Sequence, residues 1–199
     1  MMGLLLSLTL AAAAATSSST GSAVEGSIPE RSLQRTVQLV YLEKVDGDDA
    51  KALTVGAVMN QKNNTYVPHL LPIVAGSQVT LQTSDAEMHN IYAKQGEDVL
   101  FNTAFAPAMP PRQKTFADAG VIALTCNIHS EMSAFIVVLQ NRFFTLPVNG
   151  AFKIEGVPTG KYELRIWGEK LDPKLLEKRF PVEVPSAGGV TIQLSGSSI

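Results

Sequence analysis

Val121-Ile122-Ala123-Leu124-Thr125-Cys126-Asn127-Ile128-His129-Ser130-Glu131-Met132 runs from an apolar, strand-like segment into a short polar loop, and Ala134-Phe135-Ile136-Val137-Val138-Leu139 follows it as a second buried strand. The loop holds the only cysteine of the chain, with one histidine three residues on and one methionine three beyond that. A thiolate, an imidazole and a thioether are the soft and borderline ligands that suit copper. A trigonal plane of two imidazoles and one thiolate, with a weak axial Met, needs one more histidine. His89 supplies it, because Ser84-Asp85-Ala86-Glu87-Met88-His89-Asn90 ends another strand-like run. Cys-x-x-His-x-x-Met alone also fits a buried free cysteine. The upstream Met-His-Asn is what turns the pattern into a site.

Outward from that loop the chain reads as short strands. Gln78-Val79-Thr80-Leu81-Gln82-Thr83 alternates cleanly after the turn Ala75-Gly76-Ser77. Tyr66 to Val74 is extended and interrupted by Pro68 and Pro72, which puts it at a sheet edge or a bend. Phe101 to Pro111 reads as loop, and Gln113 to Ala117 as a strand. Before this unit, Val24 to Ile28 and Thr36 to Leu42 have β patterning, with Val37, Leu39 and Tyr41 on one face. The acidic turn Asp46-Gly47-Asp48-Asp49 and a short strand at Leu53 to Val55 come next. After it, Gly150 to Ile154 and Lys161 to Trp167 flank the turn Val157-Pro158-Thr159-Gly160. Leu171 to Arg179 is the one helical segment expected, and Phe180 to Val184 and Val190 to Leu194 are the last strands. Many short strands without a helical period predict an antiparallel β-sandwich architecture.

Composition narrows the function. A formal charge of −2 over 199 residues leaves no basic footprint, so nucleic acid is not an expected partner. No interior apolar run reaches the length of a membrane span. A single cysteine forms no intrachain disulfide and is free, metal-bound or paired between chains. Gly3 to Leu10, continued by Ala11 to Ala15, has the length of a signal-peptide core, and cleavage is expected near Ala15 or Ala23. Export to the periplasm or the outside follows.

Residues Asn60 to Leu139 resemble the cupredoxins, the plastocyanin/amicyanin family of blue copper proteins. Tyr66-Val67-Pro68, Ala75-Gly76-Ser77, Met88-His89-Asn90 and the Cys126 loop carry the resemblance. The two-residue spacers around His129 are similar to the short ligand loop of amicyanin. Ser130-Glu131 depart from it, since a Pro and a bulky apolar residue stand there in amicyanin. The resemblance implies one type 1 copper held by His89, Cys126, His129 and Met132, with Asn90 beside the first ligand locking the two ligand segments.

Gly150 to Leu164 resembles the transthyretin-like module of carboxypeptidase regulatory domains. The whole chain resembles exported bacterial proteins grouped as methylamine-utilization proteins, which join the same two parts. The fold implied is all-β, a cupredoxin Greek-key β-sandwich plus a small transthyretin-like β-sandwich. The division expected is a signal peptide at 1–23, N-terminal strands of the second module at 24–58, the cupredoxin domain at 59–140, and the transthyretin-like module at 141–199.

The function implied is a one-electron carrier between protein redox partners, not an enzyme. Three histidines and no His-x-His pair leave nothing for a second copper centre, and four protein ligands leave no open position for substrate. Storage, delivery or sensing of copper is the alternative, and an adhesion or assembly role led by the second module is another. Several residues stay open in the sequence. His69 is a further ligand or an exposed, hydrogen-bonded histidine, and Glu131 is a hard ligand or solvated rim charge. Phe105 to Pro111, with Met109, is a docking patch or cover for the sandwich end. Tyr162 and Trp167 read as core.

Overall fold

The computed structural model describes residues 21–45 and 52–194. Most of the expected leader, the Asp46 to Asp49 turn and the Ser/Gly tail lie outside the described residues. The elements are β1 (Ser22–Ser27), α1 (Arg31–Thr36), β2 (Leu39–Lys44), β3 (Ala57–Lys62), β4 (Thr65–Val67), β5 (Leu70–Val74), β6 (Ser77–Thr83), β7 (His89–Gln95) and β8 (Asp98–Phe105). They continue with β9 (Arg112–Phe116), β10 (Gly120–Thr125), β11 (Ser133–Leu139), β12 (Phe144–Thr145), β13 (Ala151–Val157), β14 (Gly160–Trp167), α2 (Pro173–Leu176), β15 (Phe180–Val184) and β16 (Val190–Gln193). The fold is all-β, and no helix among the described residues is long and apolar enough to cross a membrane.

Four sheets stack in layers. The orders are β4-β3-β6-β9, β5-β11-β10-β7-β8, β12-β2-β14-β15 and β13-β1-β16. The first two enclose a core that includes Met59, Val79, Ile91, Leu124 and Ile136. The last two enclose another, with Val24, Leu42, Ile154, Leu164 and Val184. A third cluster, Leu39, Val137, Leu139 and Trp167, joins the two sandwiches. β11 shows why its sequence is an unbroken apolar run. Ala134, Ile136 and Val138 face the first core, while Val137 and Leu139, with Phe135 packed beside them, face the joining cluster. A strand covered on both sides loses the alternation of a half-exposed one. β2 is covered in the same way, with Val40 and Leu42 on one side and Leu39 and Tyr41 on the other.

The early and late strands share sheets. β1 lies between β13 and β16, and β2 between β12 and β14. The second sandwich is therefore built from both ends of the chain, with the first sandwich between them in sequence.

Several local expectations are corrected. Three strand pairs are parallel, β3 with β6, β5 with β11 and β1 with β16, so the sheets are mixed, not purely antiparallel. Residues 36–38 are not strand, and β2 starts at Leu39 after the six-residue helix α1, which is too short to show a period. Leu53 to Val55 is not strand either. Thr54 is instead tied by side-chain bonds, its N–H donating to Ser77 Oγ (2.8 Å) and its Oγ1 accepting from the Val74 N–H (3.0 Å). The strand lies further on, at Ala57–Lys62. Phe101 to Phe105 belongs to β8, whose mostly exposed edge position leaves little apolar alternation to read. His89 opens β7 and does not end a strand.

The Pro-interrupted segment does sit at edges. β4 is the outer strand of one sheet and β5 of the next, so the chain crosses between layers at Pro68. Gly76, at φ +89°, makes the tight turn from β5 into β6.

Candidate metal centre

Three strand ends meet at one end of the first sandwich. β7 starts with His89, β10 ends at Thr125 just before Cys126, and β11 starts at Ser133 just after Met132. β10 pairs with both β7 and β11, so this register fixes the loop against the first histidine. The loop closes on itself: the Met132 N–H donates to the His129 carbonyl (3.1 Å), and the Cys126 N–H donates to the Met132 carbonyl (3.3 Å).

His89, Cys126 and His129 converge, their ligand atoms all within 4.8 Å of one another. His89 Nδ1 is 3.1 Å from His129 Nδ1, and Cys126 Sγ is 3.9 Å from His129 Nδ1. Metal–imidazole bonds of about 2.0 Å and metal–thiolate bonds of about 2.3 Å around a trigonal ion give separations of about 3.5 and 3.7 Å. The donor atoms present fit such an ion.

Both outer nitrogens face carboxylates. His89 Nε2 lies 2.9 Å from Asp85 Oδ2, and His129 Nε2 lies 3.5 Å from Glu87 Oε2. A carboxylate accepts, so the short bond to Asp85 puts the proton on His89 Nε2 and leaves its Nδ1 with a lone pair. That lone pair faces His129 Nδ1 at 3.1 Å, a contact that a proton on His129 or a cation between the rings satisfies. With Cys126 the two histidines form a group that could hold a metal ion, and a carboxylate behind an imidazole is a common partner of such ligands.

Asp85 is itself anchored. Its carboxylate accepts from the N–H of Asn63 (2.7 Å) and of Asn64 (3.1 Å), in the turn between β3 and β4. Desolvation raises its pKa, but these two bonds and His89 outweigh it and leave the carboxyl below its ordinary value.

Asn90 links β7 to the Cys126 loop. Its Oδ1 accepts from the Asn127 N–H (2.7 Å) and lies 3.4 Å from the Cys126 thiol, and its Nδ2 donates to Asn102 Oδ1 (2.7 Å). Its carbonyl accepts from Gln61 Nε2 (3.1 Å). The Tyr66 hydroxyl lies 3.1 Å from that same carbonyl and 3.0 Å from the carbonyl of Thr125. Burial pushes the Tyr66 phenol well above its ordinary pKa, with the charge of Cys126 adding to the shift, so it stays a neutral donor.

His89 is fully buried, and Cys126 and Met132 are nearly so. Only His129 reaches solvent, its side chain 19% exposed. Glu131 is exposed and is not part of the cluster. His69 is elsewhere, with Nδ1 3.0 Å from the Ser133 carbonyl and Nε2 3.0 Å from Glu169. Phe105 is fully buried and Met109 packs against the same core, while Pro107, Ala108, Pro110 and Pro111 are exposed. Tyr162 and Trp167 are core. Sequence reading missed Asp85, Glu87, Gln61, Tyr66 and Asn102 as contributors. The one available signal was the carboxylate four residues before His89.

No family model and no curated protein matches the chain. Among solved structures it is similar to a purple cupredoxin from Nitrosopumilus maritimus, at 23% identity over 42% of this chain and 99% of that one, with a TM-score of 0.37. It is also similar to amicyanin from Paracoccus versutus, at 19% identity over 50% of this chain and 98% of that one, with a TM-score of 0.38. A third is a copper-containing nitrite reductase from Thermus scotoductus SA-01, at 21% identity and a TM-score of 0.39, covering 50% of this chain but 28% of that one.

Proposed function

We propose that this chain is an exported mononuclear type 1 copper protein that carries one electron at a time between protein redox partners. His89, Cys126 and His129 form the trigonal plane, and Met132 is the weak axial ligand. The observation that carries the reading is the convergence of His89 Nδ1 and His129 Nδ1, 3.1 Å apart, beside the buried thiol of Cys126.

Copper bound there supplies a one-electron couple whose potential the thiolate and the axial ligand set. The protein's part is rigidity. Asp85 holds the proton on His89 Nε2, Asn90 ties Asn127 to β7, and the short loop closes on its own backbone. Ligands fixed in this way move little when the charge at the centre changes, which keeps the barrier to electron transfer low. The closed donor set leaves no position for substrate, so the reading is a carrier and not an enzyme.

The second sandwich reads as a transthyretin-like module, formed by 24–58 and 141–199, into which the cupredoxin domain 59–140 is inserted. Cleavage of the leader near Ala15 keeps β1 whole, whereas cleavage at Ala23 removes Ser22, which pairs with Val157.

The test is the visible and EPR spectrum after one equivalent of Cu(II). An intense band near roughly 600 nm with narrow hyperfine splitting, lost in Cys126→Ala, supports the reading. A colourless protein, or weak tetragonal signals indifferent to that substitution, removes it and turns the balance to copper storage or delivery.

A further inference from the structure

Each of the four sheets ends in two edge strands, and a free edge invites pairing with another chain unless it is short, charged or broken by proline. β4, β12 and β16 are three, two and four residues long. β5 and β15 carry Pro72 and Pro181, β9 carries Arg112 and Lys114, and β13 carries Lys153 and Glu155. β8 is different. It spans eight residues, with no proline and no charge after Asp98. Its register against β7 is regular from Phe101 to Phe105, and the irregularity at Ala93/Lys94 leaves only Leu100 outside the pairing.

The hydrogen bonds of β7 fix which groups of β8 face outward. The Tyr66 hydroxyl bonds the carbonyls of both Asn90 and Thr125, so the Asn90 carbonyl points toward β10. Successive strand residues turn their backbone groups to alternate sides. Ile91 therefore turns toward its partner on β8, Thr103. The N–H and C=O of Asn102 and Ala104 are left facing out from the sheet edge, and both residues are exposed. Charge is divided along the same strand. Glu97 and Asp98 stand at its start, and Arg112 stands over the Phe105 ring (5.8 Å) at its end.

We propose that the protein forms a two-fold dimer in which β8 pairs antiparallel with β8 of a second copy. Only residues whose backbone groups face outward can exchange bonds, so Asn102 of one copy lies opposite Ala104 of the other, with the axis at Thr103. The two Thr103 side chains then meet on the axis, a favourable cross-strand pair. A two-fold axis brings the same patch together twice. It sets the acidic start of each β8 beside the basic end of the other, so the charge pattern is self-complementary. The two five-stranded sheets become one continuous sheet.

The experiment is sedimentation velocity on the whole protein, metal-free and copper-loaded, at about 100 μM. Ionic strength is raised from about 10 to about 200 mM, which shortens the screening length from about 30 to about 7 Å. A dimer is expected at low salt, with a dissociation constant that rises about threefold or more at high salt. Ala104→Pro removes an outward N–H and leaves the bonds to β7, so it should fold and weaken the dimer at least tenfold. Asp98→Lys and Arg112→Asp should each weaken it, and the double variant, which restores opposite charges across the axis, should regain much of the loss.

A monomer at low salt overturns the proposal. So does a dimer that Ala104→Pro leaves as tight as the parent, because another surface then makes it. If the charge swap brings no recovery over the single variants, the antiparallel pairing about Thr103 is overturned.

Discussion

Between β13-β1-β16 and β12-β2-β14-β15 the interior is made of Val24, Val40, Leu42, Ile154, Leu164, Ile166 and their like. The buried polar residue near it, Asn141, sits in a loop, bonding the Leu42 carbonyl and the Phe143 N–H. The first sandwich is different. Gln61, Ser77, His89 and Asn90 are buried within it, and three of the four bear on the ligand end. Burying a polar group costs free energy unless it is bonded, and a network of bonded groups specifies one geometry. The second core is thus apolar filling that supplies stability. The ligand end of the first gives up some stability to fix the positions of a few atoms.

That difference is tested most strongly by cutting into the second core. Leu164 is fully buried in β14. Leu164→Ala is expected to lower unfolding stability by about 2–5 kcal/mol, from lost burial plus the cavity left behind. Chemical denaturation measures this. The visible spectrum of the folded, copper-loaded variant should stay as in the parent. A changed spectrum would mean that the two sandwiches are one mechanical unit, and the contrast between them would fail.

Much of this contrast was legible in the sequence, though not all of it. The alternation of Gln78 to Thr83 and the unbroken run Ala134 to Leu139 mark buried strands because burial is what sets hydrophobic pattern. The candidate loop was readable because Cys126, His129 and Met132 are close in sequence and chemically distinctive, and the structure brings the first two together with His89. β8 was not readable, since an exposed edge strand carries no such pattern. Nor was the role of Gln61, Tyr66 and Asn102. Each acts by reaching Asn90 across a sheet or between layers, and pairing of that kind leaves no spacing in the chain. Asp85 falls between these cases. It lies four residues before His89, but its anchoring by Asn63 and Asn64 depends on a turn more than twenty residues earlier.

Asp85 sharpens the comparison from the other side. Asp85→Asn keeps the size of the side chain and removes the charge behind His89. Loss of an outer carboxylate of this kind typically weakens metal binding by about 10–100-fold. The same change makes the imidazole a poorer donor, which disfavours the more highly charged Cu(II), so the reduction potential should rise. Competition with a chelator and redox titration measure the two effects. Stability of the metal-free variant should change much less than in Leu164→Ala. If affinity and potential both match the parent, Asp85 is only a turn-closing residue.

The smallest expected effect comes from the seam between the sandwiches. His69 is the one histidine outside the cluster, and it joins the layers by bonding the Ser133 carbonyl on one side and Glu169 on the other. Both members of the ion pair are partly exposed, 43% and 32%. A pair in that setting contributes less than about 1 kcal/mol, because water screens it and two side chains must be held still. The seam's stability comes instead from Leu39, Val137, Leu139 and Trp167, with Phe135 against Trp167 at 5.1 Å. His69→Ala is therefore expected to shift the denaturation midpoint only slightly. The blue absorption and EPR parameters should not move, although Ser133 directly follows the axial candidate Met132. A clear spectral change would show that the hydrogen bond to Ser133 helps set the position of Met132. The seam would then belong to the metal centre, and the division between a stabilising core and a positioning network would have to be drawn elsewhere.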